Sequence, residues 1–96
     1  MEIDNLLKDK REEVLSIARK HGVSRIRVIG SYARKEATEE SDVDLLIDVD
    51  GPTPPWFPGG LVADLEALLG RRVDVVEPGA LREDLRNQVL KEAVSL

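Results

Sequence analysis

Cysteine is missing from this chain, which excludes disulfide bridges, thiolate metal sites and cysteine nucleophiles. No apolar run approaches the roughly 20 residues that a membrane span needs, so no membrane association is expected. Positive charge is in deficit, with 14 Lys and Arg against 19 Asp and Glu and a net charge of −5. That balance works against a broad electrostatic grip on nucleic acid, which depends on Lys and Arg neutralising phosphates. Side-chain amides are scarce as well, with Asn5, Asn87 and Gln88 beside abundant Arg and Glu, a composition compatible with a heat-adapted source. Aromatics are limited to Tyr32, Trp56 and Phe57.

What is present reads as a soluble globular protein, 42% hydrophobic and 34% charged. The 96 residues are expected to form a single domain, residues 1–96, with a modest core, because a chain of this size hides only roughly 60 to 65% of its unfolded surface. The opening MEIDNLLKDKREEVL is charged at helical intervals and lacks the continuous apolar segment of a signal peptide, so a cytoplasmic location is expected.

Ile3, Leu6, Leu7, Val14, Ile17 and Ala18 recur at helical spacing and predict an amphipathic helix over 3–20. His21-Gly22 stops it, with Gly22 suited to a left-handed residue and His21 to the negative end of the helix dipole. RIRVIG, 25–30, alternates charge with β-branched residues and predicts a strand whose Ile26 and Val28 face the core. A short helix over 31–36 and a polar turn over 38–41 follow.

In DVDLLIDV, 42–49, Val43, Leu45, Ile47 and Val49 share a core face, while Asp42, Asp44, Leu46 and Asp48 share an acidic one. GPTPPWFPGG, 51–60, holds four of the five prolines and reads as a loop. Within it, Trp56 and Phe57 are open to either local packing or a partner or base-stacking surface. A helix over 61–69 ended by Gly70, a third strand over 71–77 interrupted by Asp74, and a last helix running to the C-terminus complete the chain. The order α-β-α-β-α-β-α predicts an α+β fold, a small sheet covered by helices. Only the second-to-third strand connection has the length of a parallel crossover, so the sheet is expected to be mixed. Leu90, Val94 and Leu96 are expected to fold back onto the sheet, an interface being the other reading.

Two carboxylates at i and i+2 of a strand point to one side and can clamp a common ion. Mg²⁺ suits them, since it takes one or two carboxylates and completes its shell with water and phosphates. An isolated D-x-D is nevertheless more often a solvent-facing strand edge. Further features favour the site. Gly30-Ser31 ends a strand where a close backbone, a hydroxyl and helix N–H groups could meet a phosphate. Asp74, a carboxylate among valines, is costly if buried without a partner. Together, Asp42, Asp44 and Asp74 suit two-metal phosphoryl or nucleotidyl transfer. Arg34 could reach a phosphate or pair with a nearby acid. Asp48, about 13 Å along the strand from Asp44 at roughly 3.3 Å per residue, is assigned to the solvated face.

Gly30-Ser31, then ten residues, then Asp42-Val43-Asp44, followed by the lone strand Asp74, resembles the minimal nucleotidyltransferases of the DNA polymerase β superfamily. More narrowly, GSYARKEATEESDVDLLID is similar to the antitoxin members paired with HEPN-domain toxins. The similarity runs from about Val23 through the last helix. It implies a mixed-sheet nucleotidyltransferase core with Gly30 and Ser31 at the nucleotide phosphates and Asp42, Asp44 and Asp74 at Mg²⁺ or Mn²⁺. It also implies ATP as donor and transfer of AMP to a tyrosine of a HEPN-type toxin, silencing its RNase activity. Family members commonly carry Gly where this chain has Lys35. Two alternatives stand beside the enzyme: a non-catalytic antitoxin that neutralises its partner by occlusion, and a small-molecule nucleotidyltransferase. An oligomer or hetero-complex is compatible with either.

Overall fold

Apolar spacing sets which sides of the elements meet, and the computed structural model, which describes residues 5–96, places them as follows. Helices α1 (Asn5–Asp9) and α2 (Arg11–Lys20) lead into strand β1 (Val23–Ile29), the short helix α3 (Gly30–Ala33) and strand β2 (Val43–Val49). Helix α4 (Gly59–Leu69), strand β3 (Val73–Val76), a 3₁₀ turn (Pro78–Ala80), helix α5 (Glu83–Glu92) and strand β4 (Val94–Ser95) follow. The sheet has the order β3-β2-β1-β4, with β2 and β3 parallel and the other pairs antiparallel. It is the mixed α+β sheet that the connection lengths predict.

The core is aliphatic. Val43, Leu45 and Ile47 of β2 and Ile26 and Val28 of β1 project from the sheet to meet Val14 and Ala18 of α2 and Leu61, Leu65 and Leu69 of α4. Gly70 closes α4 in the left-handed conformation, φ 66°, its N–H bonded to the Glu66 carbonyl. The Val43 N–H reaches the Arg72 carbonyl at 2.8 Å, extending the parallel ladder one residue before β3.

The structure corrects several sequence expectations. The helix expected over 3–20 is two helices within the described residues, broken at Lys10 (φ −102°, ψ 10°), while Ile3 lies outside the described residues. Leu7 and Val14 are two turns apart and both stay buried, so the break redirects the chain without changing the buried face, and apolar spacing cannot mark it. The last helix does not reach the C-terminus. Ala93 turns extended (φ −62°, ψ 135°), and Val94 and Ser95 pair with Val28 and Arg27, covering the outer edge of β1. Two residues are too few for an alternation signal. The second face of β2 is not purely acidic, because Leu46 is fully buried between its register partners Arg27 and Val76.

The proline-rich loop divides its aromatics. Phe57 packs against the core, whereas Trp56 is 66% exposed. The Trp56 ring lies over Gly60, where a Cβ would come within 2.8 Å of its Cδ1 and 3.2 Å of His21 Cε1. His21 caps α2, as expected, and is buried with its Nε2 2.8 Å from Asp64 Oδ2. Since an ionised carboxylate only accepts, Nε2 carries the proton of that bond.

Candidate active site

The end of the sheet where β1 finishes and β2 begins collects the acids. Asp44 of β2 lies between Ile29 of β1 and Asp74 of β3, in register with both. Neighbouring strands run about 4.8 Å apart, so the Asp44 and Asp74 side chains rise side by side from adjacent backbones. Asp42 is exposed one residue before β2, and by strand alternation it joins them on that face.

Gly30 explains how Asp44 is accommodated. It opens α3 with φ +71°, and a Cβ built on it would fall 2.5 Å from Asp44 Oδ2. The missing side chain is the space the carboxylate occupies, and the positive φ is tolerated because Gly has no Cβ. Ser31 follows in the first turn, half-buried.

Electrostatics mark Asp44 as the strained member of the group. Its carboxyl is held above the ordinary aspartate range, first by burial and then by the like charges of Asp74 and Asp42, with Arg34 opposing them. Asp74 itself is exposed, so the burial cost anticipated for it falls on Asp44 instead. Arg34 takes the ion-pair alternative: its Nε donates to Glu36 at 3.2 Å and its Nη1 lies 3.5 Å from Glu92 of α5. The hydrogen bond to Glu36 is the leading reason its guanidinium holds its proton even more firmly than usual. Glu92 had no signal in the sequence, because only the fold carries α5 back to α3.

Among the described residues, no three His, Asp or Glu side chains converge closely enough to hold a metal ion by themselves. The donor set still fits a hard divalent cation. Mg²⁺ needs only one or two carboxylates when water and phosphate oxygens complete its shell, and Asp44 lies beside like charges that Arg34 offsets only in part. Asp48 does not belong to this group. It is half-buried rather than solvated, with Oδ2 3.4 Å from Arg27 Nη2.

The fold has counterparts among known proteins. Residues 7–96 match the nucleotidyltransferase domain. Protein adenylyltransferase MntA of Thermococcus cleftensis is 40% identical over 93 residues, covering 97% of this chain and 91% of that protein. A solved structure assigned as a minimal nucleotidyltransferase superposes with a TM-score of 0.86 at 45% identity, covering all of this chain and 97% of the other. A toxin–antitoxin crystal structure with AMP-PNP shares the fold at a TM-score of 0.73 and 20% identity, covering 88% of this chain and 69% of that one. With its mixed sheet and its run of aspartates at one end of it, the chain belongs to the nucleotidyltransferase domain family.

Proposed function

We propose that this chain is a protein adenylyltransferase acting as a single minimal domain in the cytoplasm, moving AMP from ATP to a hydroxyl of a partner protein. The partner is a HEPN-type RNase toxin, which the modification silences. The observation that carries this reading is the in-register pair Asp44 and Asp74, with Gly30 cut back to admit the Asp44 carboxylate. The MntA relative supports adenylyl transfer, and the toxin–antitoxin fold neighbour supports the kind of partner. Consistent with a cytoplasmic site of action, no helix among the described residues is long and apolar enough to cross a membrane.

Gly30 and Ser31 seat the triphosphate, the first by allowing close backbone approach and the second by donating its hydroxyl. Asp42 and Asp44 would hold Mg²⁺ or Mn²⁺, with water and phosphate oxygens completing its shell. When bound, the metal supplies positive charge to the triphosphate and to the leaving pyrophosphate. The acceptor oxygen bonds to the α-phosphorus as the bond from that phosphorus to the bridging oxygen breaks, releasing pyrophosphate. Asp74, exposed on the edge strand, takes the hydroxyl proton. Arg34 leaves Glu36 or Glu92 to meet phosphate charge.

The test is incubation with α-labelled ATP, Mg²⁺ and the product of the neighbouring gene, expected to be a small helical protein with an R-x4-6-H motif. Label should appear on that protein and vanish with Asp42→Asn. Neutralisation of the toxin that survives in Asp42→Asn, without label, would replace catalysis by occlusion.

A further inference from the structure

A groove of about 340 Å³ opens on the side of the molecule away from α4, between α1, α3 and β4. Its floor is apolar, formed by Leu7, Val28, Ala33, Val94 and Leu96. It exists because the core side of the sheet continues past the helices that cover it. Val94 pairs with buried Val28 and so stands on the same face, yet it is 51% exposed. Lys8, Arg11 and Lys35 line the same groove, and among the described residues no acidic side chain does; Arg11 is already engaged, pairing with Glu12 at 3.2 Å and donating to the Leu96 carbonyl at 2.9 Å. In a chain of net charge −5 that concentration of cations is a local reversal of sign.

Lys35 is placed there at a cost. The end of α3 is a Schellman turn, with the Glu36 N–H on the Ser31 carbonyl at 2.9 Å and the Lys35 N–H on the Tyr32 carbonyl at 3.4 Å. Lys35 occupies the left-handed position of that turn, φ 61°, where glycine would sit without strain. A non-glycine residue held in that conformation points to a use for its side chain. Neither Lys8 nor Lys35 forms an ion pair among the described residues. The Tyr32 hydroxyl, in a residue that also lines the groove, is buried without a hydrogen-bond partner.

We infer that this groove is where the protein acceptor docks, through a segment that puts an apolar side chain on Val28, Val94 and Leu96 and carboxylates against Lys8 and Lys35. The inference rests on the adenylyltransferase reading above, and it places the acceptor against the back of α3, the helix whose first residues flank Asp44. Charge complementarity selects an acidic segment, and the apolar floor selects one with an exposed aliphatic or aromatic anchor.

The experiment measures binding of the full chain to the neighbouring-gene product by calorimetry, alongside label transfer from ATP. Lys8→Glu with Lys35→Glu should weaken binding at least tenfold and flatten its salt dependence, with ATP affinity unchanged. Lys35→Gly separates recognition from folding, because relief of the left-handed strain should raise Tm by about 2–5 °C while binding falls several-fold. Asp44→Asn should bind the acceptor as the wild type does and transfer no label. Binding within twofold of wild type in both lysine variants, with Asp44→Asn still inactive, overturns the docking site and leaves the adenylyltransferase reading standing. Failure of the wild type to bind and label that protein overturns both. A wild-type dimer in analytical ultracentrifugation that the double reversal dissociates assigns the groove to a second copy and overturns the acceptor assignment.

Discussion

Asp44 and Asp48 stand on the same face of the same strand, four residues apart, and the fold treats them in opposite ways. Asp48 has a counter-charge of its own in Arg27, held at 3.4 Å across the β1–β2 ladder. Asp44 has Asp74 in register beside it and Asp42 just before its own strand, and its carboxyl is pushed up by burial and by both of those charges. His21 and Asp64 repeat the first pattern at the other end of the sheet, a buried ring matched to a carboxylate at 2.8 Å. Asp48 and Asp64 are therefore compensated from within. The Asp42, Asp44 and Asp74 cluster has against it Arg34, a cation already shared with Glu36 and Glu92, so a ligand's positive charge would relieve it, and it is the cluster that Gly30 makes room for.

The largest expected effect comes from removing that room. Gly30→Ala forces a methyl group to within 2.5 Å of Asp44 Oδ2 at a backbone position of φ +71°. The carboxylate can give way, being the end of a side chain, so the chain should fold with a stability loss of about 1–2 kcal/mol. Displacing the carboxylate by an ångström should lower label transfer about 100-fold or more. Thermal unfolding and α-labelled ATP transfer on the same preparation measure the two effects. Full activity in Gly30→Ala would mean that the position of Asp44 is not what the glycine secures.

Breaking the compensated pair should do the reverse. Arg27→Ala leaves Asp48 half-buried without its partner and exposes part of Leu46, its neighbour in the register, so stability should fall by about 1 kcal/mol. Label transfer by the folded fraction should stay within twofold of wild type. Thermal unfolding, with a transfer assay at 10 °C below the midpoint, reads both. A transfer loss as large as that of Gly30→Ala would erase the distinction between the two aspartates.

Much of this was legible in the residues, for reasons that are local. Alternation along Val43, Leu45 and Ile47 fixes the core face of β2, and the length of the segment between β2 and β3 forces their parallel pairing. Gly30 at the end of an apolar strand, followed by a hydroxyl, marks the turn beside Asp44. What was not legible depends on contacts between distant parts of the chain. Burial of Leu46, the pairing of Arg34 with Glu92 and of His21 with Asp64, and the addition of β4 to the edge of β1 all arise when separate elements meet. Asp74 shows the limit from the other side. Its place among valines suggested burial, but β3 is an edge strand, so the desolvation fell on Asp44 in the middle of the sheet.

The smallest effect is the most direct measure of missing compensation. Asp44 releases its proton less readily in the native state than in the unfolded chain, so between the ordinary aspartate value of 3.8 and its raised native value the native state binds the proton more tightly. In that window stability falls as pH rises, and the deficit stays in place above it. Asp44→Asn removes the deficit and should raise the metal-free Tm at pH 7 by about 1–3 °C, a small shift because water still screens the site. Addition of Mg²⁺ at about ten times its dissociation constant stabilises the wild type by roughly 1.4 kcal/mol and Asp44→Asn by much less, so the order of the two Tm values should invert. Calorimetry with and without Mg²⁺ decides the matter. If Asp44→Asn melts lower than wild type without metal, and Mg²⁺ moves neither, then Asp44 is a structural carboxylate of the same kind as Asp48.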